Sequence, residues 1–240
     1  TAESIKPTID TVLSLDPDRL ALYHYAHLPH IFKPQRRIDT DAVPGSEEKL
    51  DMLQYCVQTL TRRGYVFIGM DHFAKPDDEL SVALREGLLQ RNFQGYSTYA
   101  DCDLVAIGVS SIGKIGSTYS QNERNIDDYY AAIDAGHLPV MRGYQLNQDD
   151  LLRRTVIQDL MCRFALDYRA YESVFGIPFG HYFKEELADL QQLAELGLVR
   201  LSSHGLKVTP KGRFLIRNIA MVFDYHLRHK ETKAKYSQTV

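Results

Sequence analysis

Apolar residues recur at helical spacing at the start of the chain. Ile5, Ile9, Val12 and Leu13 follow Ser4 and predict a helix that Ser4 can cap. Asp16-Pro17-Asp18 makes a turn. Leu20 to Ala26 then carries apolar residues on both faces, the pattern of a parallel strand inside a sheet. A loop with three prolines and the Arg36-Arg37 pair runs from Pro29 to Gly45. Leu50, Leu53, Val57 and Leu60 form the stripe of a second helix, with Glu47 and Glu48 at its positive end and Gly64 closing it. Tyr65-Val66-Phe67-Ile68 is the next predicted strand. Strand, helix and strand make a β–α–β unit, whose crossover should be right-handed. The loops after Tyr25 and Ile68 should then leave the same sheet edge, where α/β proteins place their ligands. A helix is expected from Asp77 to about Leu89 and a strand over Leu104–Val109. The serine- and glycine-rich run Ser110–Ser117 reads as a loop that fits no phosphate-binding spacing.

The pattern changes near Ile126. Helical periodicity dominates at 127–135, 149–166, 182–196 and 210–229. Between the last two, short alternating runs meet at His204-Gly205 and predict a tight hairpin. Helix, hairpin and helix at this spacing suggest a winged-helix-like module, and Pro210 can open the last helix without losing a needed N–H. The tail from Lys230 is expected to fray. The expected organisation is α/β over residues 1–125, followed by a mostly helical domain over residues 126–240.

Composition narrows the class. Hydrophobic residues make up 44% and charged residues 25% of the 240, ordinary for a soluble globular protein. No apolar run approaches the ~20 residues needed to cross a bilayer, and no secretory signal is visible, so no membrane partner is expected. The lack of an initiator Met fits a chain that starts mid-protein, and processing would explain it equally well. Cys56, Cys102 and Cys162 are widely spaced and odd in number. They predict neither a disulfide framework nor a metal motif, and favour a reducing, cytoplasmic setting. Cys56 and Cys162 fall in helical apolar patterns and are expected to be buried. Net charge is −3, but the segment from Arg200 onward holds nine Lys/Arg and two Asp/Glu, a local +7 that leaves −10 elsewhere. That basic end raises duplex nucleic acid as a partner. The acidic helix before the hairpin, with Glu185, Glu186, Asp189 and Glu195, argues against it.

Several residues carry candidate chemistry. His24, His27 and His30 are spaced so that a strand or loop does not place the three imidazoles on one face, so no metal site is expected. Asp71 and His72 could form an acid–base pair or order the following turn. In Arg91-Asn92-Phe93-Gln94-Gly95-Tyr96, Phe93 offers a flat apolar surface, Gln94 a donor and an acceptor, and Gly95 relief from crowding. Arg91, Arg142, Arg153 and Arg154 could each grip a carboxylate or form surface ion pairs.

These strings carry a resemblance. Tyr25-Ala26-His27-Leu28-Pro29, the stretch from Gly69 to Leu80, Arg91–Tyr96, the Gly-Val-Ser-Ser-Ile-Gly run around Ile112, and Gly212–Met221 resemble oxygen-independent coproporphyrinogen III oxidases, radical S-adenosylmethionine enzymes of haem synthesis. The similarity runs through nearly the whole chain. It implies the last units of a partial (β/α) barrel followed by the helical domain. It also implies conversion of coproporphyrinogen III to protoporphyrinogen IX by oxidative decarboxylation of two propionates. In the family a 4Fe–4S cluster cleaves S-adenosylmethionine to a 5′-deoxyadenosyl radical, which takes a propionate β-hydrogen. The resemblance assigns S-adenosylmethionine contacts to Ala26 and, for a second molecule, to Ile112. It turns the Arg91–Tyr96 string toward the substrate, with Phe93, Gln94, Arg91 and Arg142 as substrate candidates and Gln94 and His72 as catalytic ones. The family's cluster cysteines and earlier barrel strands are absent from this sequence. This chain alone is therefore expected to bind no cluster and to turn nothing over, its main partner being the N-terminal part of the same enzyme. The alternatives are a non-catalytic haem-carrying relative and a winged-helix nucleic-acid-binding module.

Overall fold

A computed structural model describes residues 1–100 and 102–229, and the tail from Lys230, expected from the sequence to fray, lies outside them. The chain opens with α1 (Ile5–Ser14), β1 (Arg19–Ala21), two 3-10 segments (Lys33–Arg37 and Thr40–Ala42), α2 (Ser46–Arg62), β2 (Val66–Gly69), β3 (His72–Ala74) and α3 (Glu79–Glu86). Two hairpins follow, β4 (Gln90–Asn92) with β5 (Gly95–Ser97), and β6 (Ile112–Ile115) with β7 (Thr118–Asn122). Then come α4 (Ile126–Asp134), β8 (Val140–Gln145), α5 (Gln148–Arg163), β9 (Ala165–Asp167), α6 (Tyr168–Phe175), α7 (Phe179–Tyr182) and α8 (Lys184–Glu195). The hairpin β10 (Val199–Ser202) and β11 (Gly205–Val208) leads into three short helices, α9 (Pro210–Arg213), α10 (Ile216–Met221) and α11 (Tyr225–Arg228).

The β–α–β expectation needs correction. β1 and β2 flank β3 in a small sheet of order β1-β3-β2, and both pair with it antiparallel. The chain turns straight back at Met70-Asp71, so β3 occupies the place between the two strands the crossover joins. The expected strand over Leu20–Ala26 shrinks to Arg19–Ala21 and continues as irregular backbone. The expected strand over Leu104–Val109 is only a bridge, Leu104 to Lys114. No second neighbour covers it, and Val105 and Ile107 are exposed. The carbonyls of Ala106 and Gly108 instead accept from the buried Asn122 amide. The expected loop Ser110–Ser117 contains β6, which packs in the order β6-β7-β8.

The long helices lie close to where periodicity places them. Ser4, however, makes no cap bond to its helix; its hydroxyl donates to the Thr1 carbonyl. The expected helix over 210–229 is broken into three. Gly212 sits against the Leu198 carbonyl so closely that an added Cβ would lie 2.0 Å from that oxygen. The breaks let Ile216, Ile219, Ala220 and Phe223 all reach the interior, while Arg213 turns toward β2. The β10–β11 hairpin turns at Ser203-His204, and β9 joins it as a third strand.

Two apolar cores hold the molecule. The smaller one gathers Ile9, Cys56, Leu60, Tyr65 and Phe73 between α1, α2 and the first sheet. The larger one joins Ile68, Ala74, Leu80 and Leu89 to Leu152, Val156, Leu160, Leu190, Leu206 and Phe223. It therefore crosses residue 125 without a seam. Among the described residues, no helix is long and apolar enough to cross a membrane.

Candidate functional site

The irregular segment after β1 forms one wall of a cavity of about 800 Å³. Leu22 is held to the β2–β3 turn by its N–H, which donates to the Asp71 carbonyl at 2.8 Å. Beyond it, the side-chain amide of Gln35 fixes the backbone of 26–28. Its oxygen accepts from Leu28 N–H at 2.5 Å and its nitrogen donates to the Ala26 carbonyl at 3.1 Å. Ala26 thus presents a small side chain to the cavity from a clamped backbone. Gln35 was not a sequence candidate; its one signal is its place in a long loop, where functional residues concentrate.

The β2–β3 turn supplies a second wall through Met70 and Asp71. Met70 has φ +51°, a left-handed conformation that a side chain tolerates only under tight surroundings. Gly69 before it is pressed against Tyr96, whose hydroxyl would lie 2.5 Å from an added Cβ. That hydroxyl donates to the Met161 carbonyl at 3.0 Å, and burial raises the Tyr96 pKa well above its usual value. Asp71 Oδ1 lies 2.6 Å from His72 Nδ1, a pairing that suits either the acid–base or the turn-ordering role, and Asp71 lines the cavity.

His24, His27 and His30 all belong to the residues that line the cavity. His27 Nδ1 pairs with the Tyr25 hydroxyl at 3.1 Å. Partial burial and the nearby Lys49 ammonium lower the His24 pKa, against a smaller opposing effect of Asp71. Among the described residues no three His, Cys, Asp or Glu side chains are grouped to hold a metal.

The remaining candidates form a ridge beside the cavity, outside its lining. His72 meets Tyr96 edge-on at 5.2 Å, and Gly95 lies against its Nε2. Phe93 and Gln94 are the two turn residues of the β4–β5 hairpin, and both side chains are exposed. The Phe93 ring stands edge-on to Tyr119 of β7 at 5.3 Å. Two residues along β7, Gln121 is flanked by Ile112 on β6 and Arg142 on β8, and its side-chain oxygen accepts from Arg142 Nε at 2.9 Å. Directly opposed antiparallel residues share a face, so Phe93, Ile112 and Arg142 meet on one side of this sheet.

None of the four candidate arginines lines the cavity. Arg91 lies over the Tyr96 ring at 5.7 Å. Arg153 is bound to Asp149, Glu186 and the Phe223 carbonyl, a bracing role rather than an open grip. Arg154 is not part of the cavity lining. The cations that do line it are Lys49 and Arg217, which the sequence reading did not select. Cys56 and Cys162 are buried as expected, and burial pushes the Cys162 thiol up to about 12.

The fold is that of about half of a solved radical SAM enzyme. It superposes on the solved coproporphyrinogen III oxidase (HemN) from Escherichia coli, described as a radical SAM enzyme, with a TM-score of 0.91 at 50% identity, covering 95% of this chain and 52% of that one. A sequence model of the HemN C-terminal domain matches residues 146–215. Oxygen-independent coproporphyrinogen III oxidases are similar along the whole chain. The one from Pseudomonas aeruginosa is 50% identical over 95% of this chain and 49% of its own length. That from Escherichia coli K12 is 48% identical over 100% of this chain and 52% of its own. That from Thermostichus vulcanus is 47% identical, and 71% of its length is covered. The chain belongs to the oxygen-independent coproporphyrinogen III oxidase family. It spans about half the length of the Pseudomonas and Escherichia relatives.

Proposed function

We propose that this chain is the C-terminal part of an enzyme that converts coproporphyrinogen III to protoporphyrinogen IX, removing two propionate carboxyl groups in haem biosynthesis. The observation that carries this reading is identity near one half, sustained over the full chain, with oxidases of that name. In this reading residues 1–125 are the last units of the barrel, and residues 126–240 are a helical domain whose β9–β11 sheet is winged-helix-like. The widely spaced, unpaired thiols support a cytoplasmic setting.

The whole enzyme would use S-adenosylmethionine and a 4Fe–4S cluster. The described residues offer no grouping of donors for such a cluster, because two of the three cysteines are buried and no metal-holding group of side chains occurs. No step is derived through it. The cavity does suit an adenosyl group: its volume falls in the range of small-molecule sites, and Ala26 leaves room at a clamped backbone. Asp71 and His72 can hold or pass a proton at the wall. Phe93, Gln94 and Ile112 on the adjoining ridge are the proposed contacts for the substrate and for a second S-adenosylmethionine. Arg91 stays a substrate candidate through the hairpin that carries Phe93 and Gln94, and Arg142 through its tie to Gln121 beside Ile112.

A chimera tests the reading. The segment of the Escherichia coli relative matched by this chain is replaced with these 240 residues. Anaerobic conversion of coproporphyrinogen III is then assayed. Protoporphyrinogen formation is expected. A soluble chimera with a full cluster complement and no product would overturn the proposal. Iron analysis of the chain alone is expected to find none, and stoichiometric iron would overturn its role as the part without the cluster.

A further inference from the structure

Among the described residues, the cavity is lined by more cationic than anionic side chains, two against one with histidines neutral. Lys49, in the first turns of α2, and Arg217, on α10, both line it. Among the described residues neither side chain makes an ion pair. The one carboxylate in the lining, Asp71, pairs with His72 and offsets only part of the charge of the two cations. Lys49 is near enough to His24 to act on its charge, which places the ammonium toward the same space. The end of α2 adds to this field. Gly45 and Ser46 line the cavity, Gly45 gives the helix no side-chain cap, and a helix N-terminus favours an anion. The acidic residues of that first turn, Glu47 and Glu48, lie outside the lining, and Glu48 accepts from Ala2 N–H.

We propose that Lys49 and Arg217 form a carboxylate-binding pair in this cavity. This assignment rests on the function proposed above and deepens it. Arg217 would take the carboxylate with its planar fork, while Lys49 supplies a point charge from the other helix. Two ligands of that function carry the right group: the propionates of the tetrapyrrole and the amino-acid carboxylate of S-adenosylmethionine. None of the arginines that looked suitable in the sequence lines this cavity, so this pair is its own means of holding a carboxylate.

The test uses the 240-residue chain with two probes. Coproporphyrin III, the stable oxidised tetrapyrrole with four propionates, is titrated by fluorescence. S-adenosylmethionine is titrated by calorimetry. The variants are Lys49→Met, Arg217→Met, Arg217→Lys and, as a remote control on the exposed face of β11, Lys207→Met. Each methionine variant should weaken binding about tenfold, equivalent to about 1.4 kcal/mol. Arg217→Lys should recover part of the loss, and Lys207→Met should match the parent. A loss confined to coproporphyrin assigns the pair to propionate, a loss confined to S-adenosylmethionine assigns it to the amino-acid carboxylate, and a loss in both supports the pair for either. Unchanged affinity for whichever probe the parent binds overturns the pair and leaves the functional reading intact. Failure of the parent to bind either probe also overturns the pair, while the functional reading stands or falls with the chimera.

Discussion

Arg213 links the helical segment to the first sheet, and replacing it should loosen both. Its Nη2 donates to the Phe67 carbonyl at 2.7 Å and, more weakly, to that of Ile68 at 3.3 Å. Its guanidinium lies 4.2 Å from the Phe164 ring centroid and 5.2 Å from that of Phe67. A hydrogen bond from a charged donor contributes about 1.5–3 kcal/mol. Desolvated cation–π contacts add about 1–2 kcal/mol. Against these stands the cost of burying the ion, which lowers the Arg213 pKa and leaves Nε without a partner among the described residues. That opposing cost is a few kcal/mol at most sites of this kind. Arg213→Met keeps the length and the contact with both rings but removes the donor from the Phe67 carbonyl. The balance predicts a net loss of about 2 kcal/mol. For a chain of this size the melting temperature should fall by about 4–8 °C. Urea unfolding followed by circular dichroism measures the free energy, and thermal scans check the shift. Phe214, Ile216 and Arg217 follow Arg213 into the cavity wall, and Asp71 follows β2, so coproporphyrin affinity should fall with stability. Arg213→Lys should sit between, since it keeps the charge and loses the flat stack. A methionine variant as stable as the parent, or more so, would refute the reasoning, because the ion's desolvation would then outweigh its bonds.

Two further outcomes follow from charge and burial. Burial pushes the Asp150 carboxyl up, but bonds from Asn147 N–H, His226 and Tyr144 outweigh it and hold the pKa below the ordinary aspartate value of 3.8. A depressed folded-state value gives stability that is complete above 3.8 and lost as pH falls through the folded value. Asp150→Asn should therefore lower the urea midpoint at pH 7, and that deficit should shrink at pH values below the ordinary carboxylate range; a deficit that stays constant down to pH 2 would contradict this. Of the three thiols, Cys102 is exposed while Cys56 and Cys162 are buried with raised pKa values. One thiol per folded chain should react quickly with a thiolate-selective disulfide reagent at pH 8, and all three in urea; two or more fast thiols in the folded chain would show that the cores open readily.

Much of this could be read from the residues, for identifiable reasons. The stripe Leu53, Cys56 and Leu60 sits on a long helix with one buried face, so its 3.6-residue period survives in the sequence. The hairpin at His204 was legible because strands and turn each last long enough to show a pattern. β1, β3, β4 and β5 have three residues each, too few for a two-residue period to emerge from chance. The last helix misled because its apolar spacing continues through the breaks, although Asp224, whose side chain accepts from Leu227 N–H, starts a new helix within it. At the site, Ala26 and Asp71 were found at the cavity because strings around them resemble the family. Lys49 and Arg217 were not. They stand far apart in sequence, each looks like an ordinary charge on a helix surface, and only the fold brings them to one space.

The larger core carries a lesson for anyone dividing this chain. The recognisable C-terminal unit at 146–215 shares one apolar core, through Leu152, Val156 and Leu160, with Ile68, Ala74, Leu80 and Leu89 from the other part. Excised at residue 145, it would present that apolar surface to water and stick to itself or to chaperones. The unit is therefore no portable cassette: moved into another host, it needs the side chains of β2, β3 and α3 to travel with it.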